Sequence, residues 1–416
     1  MKILIYSANF APEPTGIGKY SGEMAEWLAS QGHDVRVVAA PPYYPAWRLG
    51  EGYAWPPYRK ETWRGCTVWR APLWVPSQPG GFARIVHLLT FALSSAPVML
   101  RQLAWRPDVV LVVAPAMVCA PMAWVTARIS GAQAWLHVQD FEVDVAFRMG
   151  LVNVGLARHL VWRMERALLR RFDVVSTISG RMIDHLMKKG VNPERCHLFP
   201  NWVDIDKIRP LDGISSYRAR LGIPVQAVVV LFSGTMGSKQ GLEVVPAAAR
   251  LLQHRHDIHF VICGDGVMKP KIEADAQGLA RVHLLPLQDV AMLPELLGLA
   301  DIHLLPQSPD AEDLVLPSKL TGMLSSGRPI VATCNPDTEI AMVVKACGKV
   351  VPPLQPEALA QAVEALADDP HGRAQLGQAA RRYAEEEIGR DAVLSAVVRH
   401  MQAPDAPADD RSRKAA

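Results

Sequence analysis

Two doubly wound α/β domains are the fold class this chain predicts, on three observations. At 416 residues it exceeds what one hydrophobic core usually serves. Apolar runs alternate with helical patterns along most of its length, as parallel strands covered by helices on both faces do. One supersecondary unit also opens twice, about two hundred residues apart: an apolar strand, a glycine-rich turn, a helix and a second strand.

The first domain is expected over residues 1–205. ILIYS is its first strand, APEPTGIG its first turn, and KYSGEMAEWLASQG a helix that returns to the strand VRVVAA. Gly16 and Gly18 in that turn, followed by Lys19 and Tyr20, let backbone N–H groups approach a phosphate at a helix N-terminus. Residues 41–81 are crowded with Pro, Gly, Trp and Tyr, which predicts an ordered excursion outside the sheet. VVLVV and AWLHVQ then resume the sheet, and His137 and Gln139 share one face of the second of these strands. His137 reads equally well as a core histidine. Residues 109–127 are uncharged and long enough to span a bilayer, but Pro115 and Pro121 interrupt them, so a buried strand and its helix are expected. The first strand follows Met1 too closely, and meets Pro12 too soon, for a secretory signal.

The connector LFPNWVDIDKIRPLDG leads to a second domain expected over residues 206–385, with strands VVVLF, IHFVIC, VHLLP, IHLLP and PIVAT. FSGTMGSKQG places Gly234, Gly237, Lys239 and Gln240 at a strand-to-helix turn, and Gly264, Asp265 and Gly266 end the next strand. Strand ends are where open α/β sheets take ligands. In PSKLTGMLSSGRPIV, Pro317 is expected at the first helical position, with Ser318, Lys319 and Leu320 after it. Free amides, a hydroxyl and a cation would then converge on one spot, a good receptor for a pyrophosphate. A last helix, residues 386–402, is expected to cross back onto the first domain, and residues 403–416 lack the apolar side chains to fold.

A net charge of +3, from 44 basic and 41 acidic residues, is too weak to argue for nucleic acid. Six cysteines without a C-x-x-C pair fit buried thiols in a reducing cytosol. Asp204-Ile205-Asp206 has the form of a metal-binding D-x-D but lies in the connector, and His254, His256 and His259 read as surface residues, so no metal site is expected. The helix at 155–172 carries Arg163, Arg166 and Arg170 on one face, a basic surface for anionic lipid; residues 84–106 are a second such candidate.

The order of GxxGxxxG after a strand, GDG, ADIHLLP, PSKL and SGRPIVAT resembles the donor-binding half of family 4 retaining glycosyltransferases of GT-B fold, and STISGRMIDHLMKKGV with FPNWVD resembles their linker. With TGIGKYSGEM, APPYYP and QDFEVD, the chain is most similar to the glycosyltransferases of colanic acid and related exopolysaccharide synthesis. The resemblance implies a GT-B architecture, two Rossmann-like domains facing a central cleft. It implies a nucleotide-sugar donor, GDP-fucose being the leading suggestion, a polyprenyl-diphosphate-linked acceptor, no metal, and a cytoplasmic enzyme peripheral on the inner leaflet. By the same resemblance Lys319, Lys239, Asp140, Gln139 and His137 would serve catalysis. Gly16, Gly18, Gly234, Gly237, Gln240, Gly264, Asp265, Gly266, Pro317, Ser318 and Leu320 would bind the donor, and Lys19, Tyr20 and Asp144 the acceptor.

The chain also departs from the family pattern. Leu314 and Gly322 stand where many members carry paired glutamates, Thr235 and Gln240 stand for the usual Arg and Lys, and Trp202 replaces a glycine. The charge role of the missing glutamates would fall to Asp313, Ser318 and Lys319. Two rivals share the architecture: a sugar-nucleotide epimerase of GT-B form, and a nicotinamide oxidoreductase, whose G-x-G-x-x-G spacing neither turn fits. A non-catalytic nucleotide-sugar binding module is a third reading.

Overall fold

The computed structural model describes residues 1–416 except 56, 78–79, 115–116, 142–154, 238–239, 310–316 and 403–416. Two compact units result: Met1–Pro200 with residues 394–402, and Asn201–Val393.

The first unit holds an eight-stranded sheet. Its strands are β1 (Lys2–Ser7), β2 (Asp34–Ala39), β3 (Arg59–Trp63), β4 (Cys66–Arg70), β5 (Val109–Ala114), β6 (Gln133–Val138), β7 (Val174–Thr177) and β8 (Cys196–Leu198). They lie in the order β3-β4-β2-β1-β5-β6-β7-β8. Every pairing is parallel except β3 with β4. This corrects the expectation that residues 41–81 stay outside the sheet. Arg64 and Gly65, at φ 41° and 86°, close a two-residue hairpin, and β4 adds its buried Cys66, Val68 and Arg70 beside β2. Residues 109–127 are the fully buried β5 followed, after a short connection, by the helix Ala120–Ser130, as the proline interruptions predict.

The second unit holds β9 (Val228–Ser233), β10 (Ile258–Cys263), β11 (Val282–Leu285), β12 (Ile302–Pro306), β13 (Ile330–Thr333) and β14 (Gly348–Val351), all parallel. Their order, β11-β10-β9-β12-β13-β14, reverses direction between β9 and β12. That reversal is the place where such sheets open a crevice at their carboxyl ends. β9 is buried on both faces: Val228, Val230 and Phe232 pack in one core cluster, Val229 and Leu231 in another around Tyr217, Leu296 and Leu299. Each such side chain contributes about 1.5–3 kcal/mol of burial, which explains a strand with no polar residue before Ser233.

Candidate functional site

The second unit builds its site where β9 and β10 end. The chain turns at Gly234 after β9, with φ 143°, and at Gly264 and Gly266 after β10, with φ 154° and 148°. Only glycine takes these angles without strain. A Cβ on Gly264 would collide with the Gly234 carbonyl, and one on Gly266 with the carbonyl of Met236. The two turns are thus laced backbone to backbone. Gly234 N–H donates to the Cys263 carbonyl at 3.0 Å, Met236 N–H to Asp265 at 2.8 Å, and Met268 N–H to Met236 at 3.0 Å.

Lys319 reaches this pair of turns from the helix Ser318–Ser325. Its Cδ lies 3.3 Å from where a Cβ would stand on Gly234, so a glycine there gives the side chain its path. Its Nζ sits 4.6 Å from the centroid of the Phe232 ring. Among the described residues the ammonium is buried with no hydrogen-bond partner, and burial pulls its pKa down to about 8. A cation over an aromatic face gains on the order of 1–2 kcal/mol, less than the cost of taking an ammonium out of water. Phe232 is therefore no substitute for a counter-ion. Three N–H donors and a charge are held ready for an anion.

Ser318 is the first helical residue and Pro317, at φ −60° and ψ 127°, is the cap before it. The sequence pattern placed Pro317 one position too far in, because proline at either position leaves the same open amides. No acidic side chain stands in the first turn, so its N–H groups add to the positive potential beside Lys319. Ser318 is exposed, whereas Leu320 is 2% exposed and packs in the core with Leu305 and Met323, leaving only its backbone to the site. Gly237 N–H donates to Gln240 Oε1 at 3.2 Å, which closes the β9 turn. Asp265 is exposed and caps its own turn, accepting from Gly266 N–H at 2.8 Å. Lys239 and Asp313 lie outside the described residues.

The matching turn of the first unit is put together differently. Gly16, at φ 59°, starts the helix Gly16–Ser30. A Cβ on Gly18 would strike the Glu13 side chain, and one on Gly22 would lie 2.6 Å from the Ala11 Cβ. Glu13 is 4% exposed, and its Oε1 accepts from the N–H groups of Tyr43 and Tyr44 at 3.1 and 3.0 Å, its Oε2 from Asn9 Nδ2 at 3.0 Å. Burial raises its pKa against those hydrogen bonds. Sequence reasoning missed Glu13, although an acid between Pro12 and Pro14 just ahead of the glycines was a visible signal. Lys19 pairs with Glu23 at 3.8 Å on the surface, and Tyr20 is buried.

His137 is buried between Ser176 and Gln139 against the Phe199 ring, and burial lowers its pKa to about 3. Gln139 Nε2 donates to its Nε2 at 3.1 Å, which leaves Nδ1 to donate to Ser176 Oγ at 3.0 Å. The core reading of His137 fits this geometry. Asp140 is exposed at the end of the same segment, and Asp144 lies outside the described residues.

Elsewhere, Asp204 Oδ2 accepts from Arg390 at 2.9 Å while its Oδ1 caps Asp206 and Lys207, which ties the D-x-D into the connector. His254 and His256 are exposed beside Glu364 and Arg281, whereas His259, inside β10, is buried against His283, which corrects the surface reading for that residue. A Cβ on Gly322 would lie 3.2 Å from Leu297, so that position faces apolar neighbours, and Leu314 lies outside the described residues. Arg166 and Arg170 donate to the carbonyls of Lys189 and Gly190 at 2.9 and 2.8 Å, closing the end of the helix Gly180–Lys188.

Both units match known families. Residues 15–202 match a glycosyl transferase 4-like domain, and residues 227–369 match glycosyl transferases group 1. Over 406 residues the chain is 41% identical to a protein of Escherichia coli (strain K12) named as the colanic acid biosynthesis glycosyl transferase WcaI, covering 95% of this chain and 98% of that one. The alpha-D-kanosaminyltransferase of Streptomyces kanamyceticus is 29% identical over 222 residues, 51% of this chain and 56% of that one. Among solved structures, sucrose-phosphate synthase from Thermosynechococcus elongatus aligns with a TM-score of 0.70 at 16% identity, over 97% of this chain and 100% of that one. HepE from Anabaena, solved with UDP, aligns at 0.68 and 16% over the same shares. The chain belongs to the group 1, family 4 glycosyltransferases of GT-B fold, and it is an enzyme of that class.

Proposed function

We propose that this enzyme moves a sugar, with retention of configuration, from a nucleotide sugar to a polyprenyl-diphosphate-linked acceptor at the inner leaflet of the cell membrane, in assembly of a colanic-acid-like exopolysaccharide. A GDP-sugar, with fucose as the sugar, is the donor the resemblance favours. The observation that carries the reading is the buried Lys319 ammonium, without a partner among the described residues, between the laced glycine turns and the start of a helix. When the bond from sugar to diphosphate breaks, negative charge grows on the departing oxygen. A fixed cation and fixed N–H dipoles aimed there, away from water, lower the barrier by about 3 kcal/mol per positioned donor. The likeness to WcaI over nearly the full chain supports the pathway.

The test is turnover of GDP-fucose and a panel of GDP-, UDP- and dTDP-sugars, with and without a polyprenyl-diphosphate-linked oligosaccharide. The reading expects transfer to the lipid-linked acceptor from one donor, abolished in Lys319→Ala. Conversion of a donor to its epimer with no acceptor present would replace this reading with an epimerase.

A further inference from the structure

The helix Gly81–Gln102 has two unlike faces. His87, Phe91, Ser95, Val98 and Gln102 are buried at helical spacing, and Phe91, Val98 and Met99 belong to the core of the first unit. On the opposite side Phe82 is 76% exposed, Leu93 75%, and Ile85, Leu89 and Leu100 lie between 36% and 47%. Single exposed apolar residues are ordinary; five on one helical stripe mark a surface that meets something. By length and composition the segment Phe82–Trp105 could cross a membrane. Its opposite face is committed to the core, so it stays on the unit and presents the stripe outward.

Charge identifies what the stripe meets. From Thr62 to Pro107 the chain has no Asp or Glu; of the arginines there, Arg70 is buried against Glu61 and Arg64 pairs with Glu26, which leaves Arg84, Arg101 and Arg106 as exposed charges. Arg84 and Arg101 are exposed near the two ends of the helix. Along its flank, Trp74 N–H donates to Thr90 Oγ1 at 3.0 Å and the Tyr58 hydroxyl donates to the Ser94 carbonyl at 2.9 Å, which holds two half-exposed amphipathic rings beside it. Apolar stripe, cationic ends, interfacial aromatics and no acid are the makeup of a helix lying in a headgroup layer. We propose that Gly81–Gln102 docks the first unit on an anionic bilayer, with Phe82, Ile85, Leu89 and Leu93 against the acyl chains. The arginine-rich helix Gly155–Leu169, the other surface the sequence offers, has Arg166 and Arg170 engaged within the unit. The proposal deepens the reading of a membrane-borne acceptor without needing it, because lipid binding is measured with neither substrate present.

The full-length protein is sedimented with vesicles of phosphatidylglycerol and phosphatidylethanolamine, or of phosphatidylcholine alone. We expect partition to the anionic vesicles, cut at least tenfold by Phe82→Ser with Leu93→Ser and several-fold by Arg84→Gln with Arg101→Gln. High salt should weaken it by about the same factor as the arginine pair. Leu93→Glu is the second variant, since a largely exposed position tolerates a charge without unfolding, and donor hydrolysis should be unchanged in every variant. Undiminished binding by the Phe82/Leu93 variant, binding that falls with Arg163→Ser instead, or a dimer of the free protein that these variants dissolve would each overturn the proposal. Loss of sugar transfer with lipid binding intact would count against the proposed reaction and leave this surface standing.

Discussion

The turns after β1 and β9 carry similar glycine-rich sequences and both receive a buried ionisable side chain, yet they use their glycines for opposite ends. After β1, Gly18 clears space for Glu13, whose carboxylate accepts three hydrogen bonds from the loop around it. After β9, Gly234 clears space for Lys319, whose ammonium finds no partner among the described residues. The first arrangement is complete and stabilises a loop. Among the described residues the second is unfinished, and a buried charge left so costs stability that an incoming anion would recover. The difference between the turns lies in the partners of the buried group rather than in the number of glycines.

The sharpest way to break this comparison is to remove each ionisable group. Lys319→Met should lower turnover about a hundredfold, corresponding to about 3 kcal/mol of lost transition-state stabilisation. It should at the same time raise the melting temperature of the ligand-free enzyme, because an apolar chain of similar length has no ammonium to desolvate. Steady-state kinetics and calorimetry check the two halves, and a variant both inactive and less stable would show that Lys319 is already paired. Glu13→Leu should do the reverse. It strands two backbone N–H groups and an amide, and should cost about 2–4 kcal/mol of stability while leaving turnover per folded molecule near normal.

Smaller changes sharpen the contrast. Gly18→Ala forces a methyl into Glu13 and should cost about 1–3 kcal/mol, part of it recovered when Glu13→Ala is added, a coupling a double-mutant cycle measures. The pH dependence should also run in opposite directions. The raised pKa of Glu13 means the folded protein keeps that proton to higher pH than the unfolded chain, so this group's contribution to stability falls as pH rises above the ordinary carboxylate range. Lys319, lowered from 10.5 to about 8, does the opposite: the unfolded chain holds the extra proton, and stability rises with pH across that window. Melting curves of Glu13→Gln and Lys319→Met against the parent protein should each lose one of these slopes.

How much of this was legible in the sequence follows from the residues involved. Strands buried on both faces announced themselves as apolar runs, VVLVVA in β5 and VVVLF in β9. The edge hairpin did not: RKETW is polar up to Trp63, with no apolar alternation to mark a strand, and its turn is Arg64-Gly65 where Asn-Gly would have signalled it. That Lys319 and the glycines of the second unit stand at a helix start and two strand ends was legible, because those elements show in the sequence pattern. That the ammonium finds no partner among the described residues was not, since a counter-ion is supplied by tertiary contacts. That Glu13 packs against Gly18 was not legible either, because sequence shows an absent side chain and cannot show whose side chain fills the gap. The carbonyl partners of Arg166 and Arg170 were hidden for the same reason, lying about twenty residues downstream.

The most direct measurement is proton uptake on nucleotide binding, by titration calorimetry in buffers of different ionisation enthalpy at pH 8.5. With a free-state pKa of about 8, Lys319 is mostly deprotonated there, and a bound diphosphate should drive it to the ammonium. The account predicts uptake of about three-quarters of a proton per GDP or UDP bound, lost in Lys319→Met along with most of the affinity. Binding without proton uptake, or with the same uptake in Lys319→Met, would contradict it.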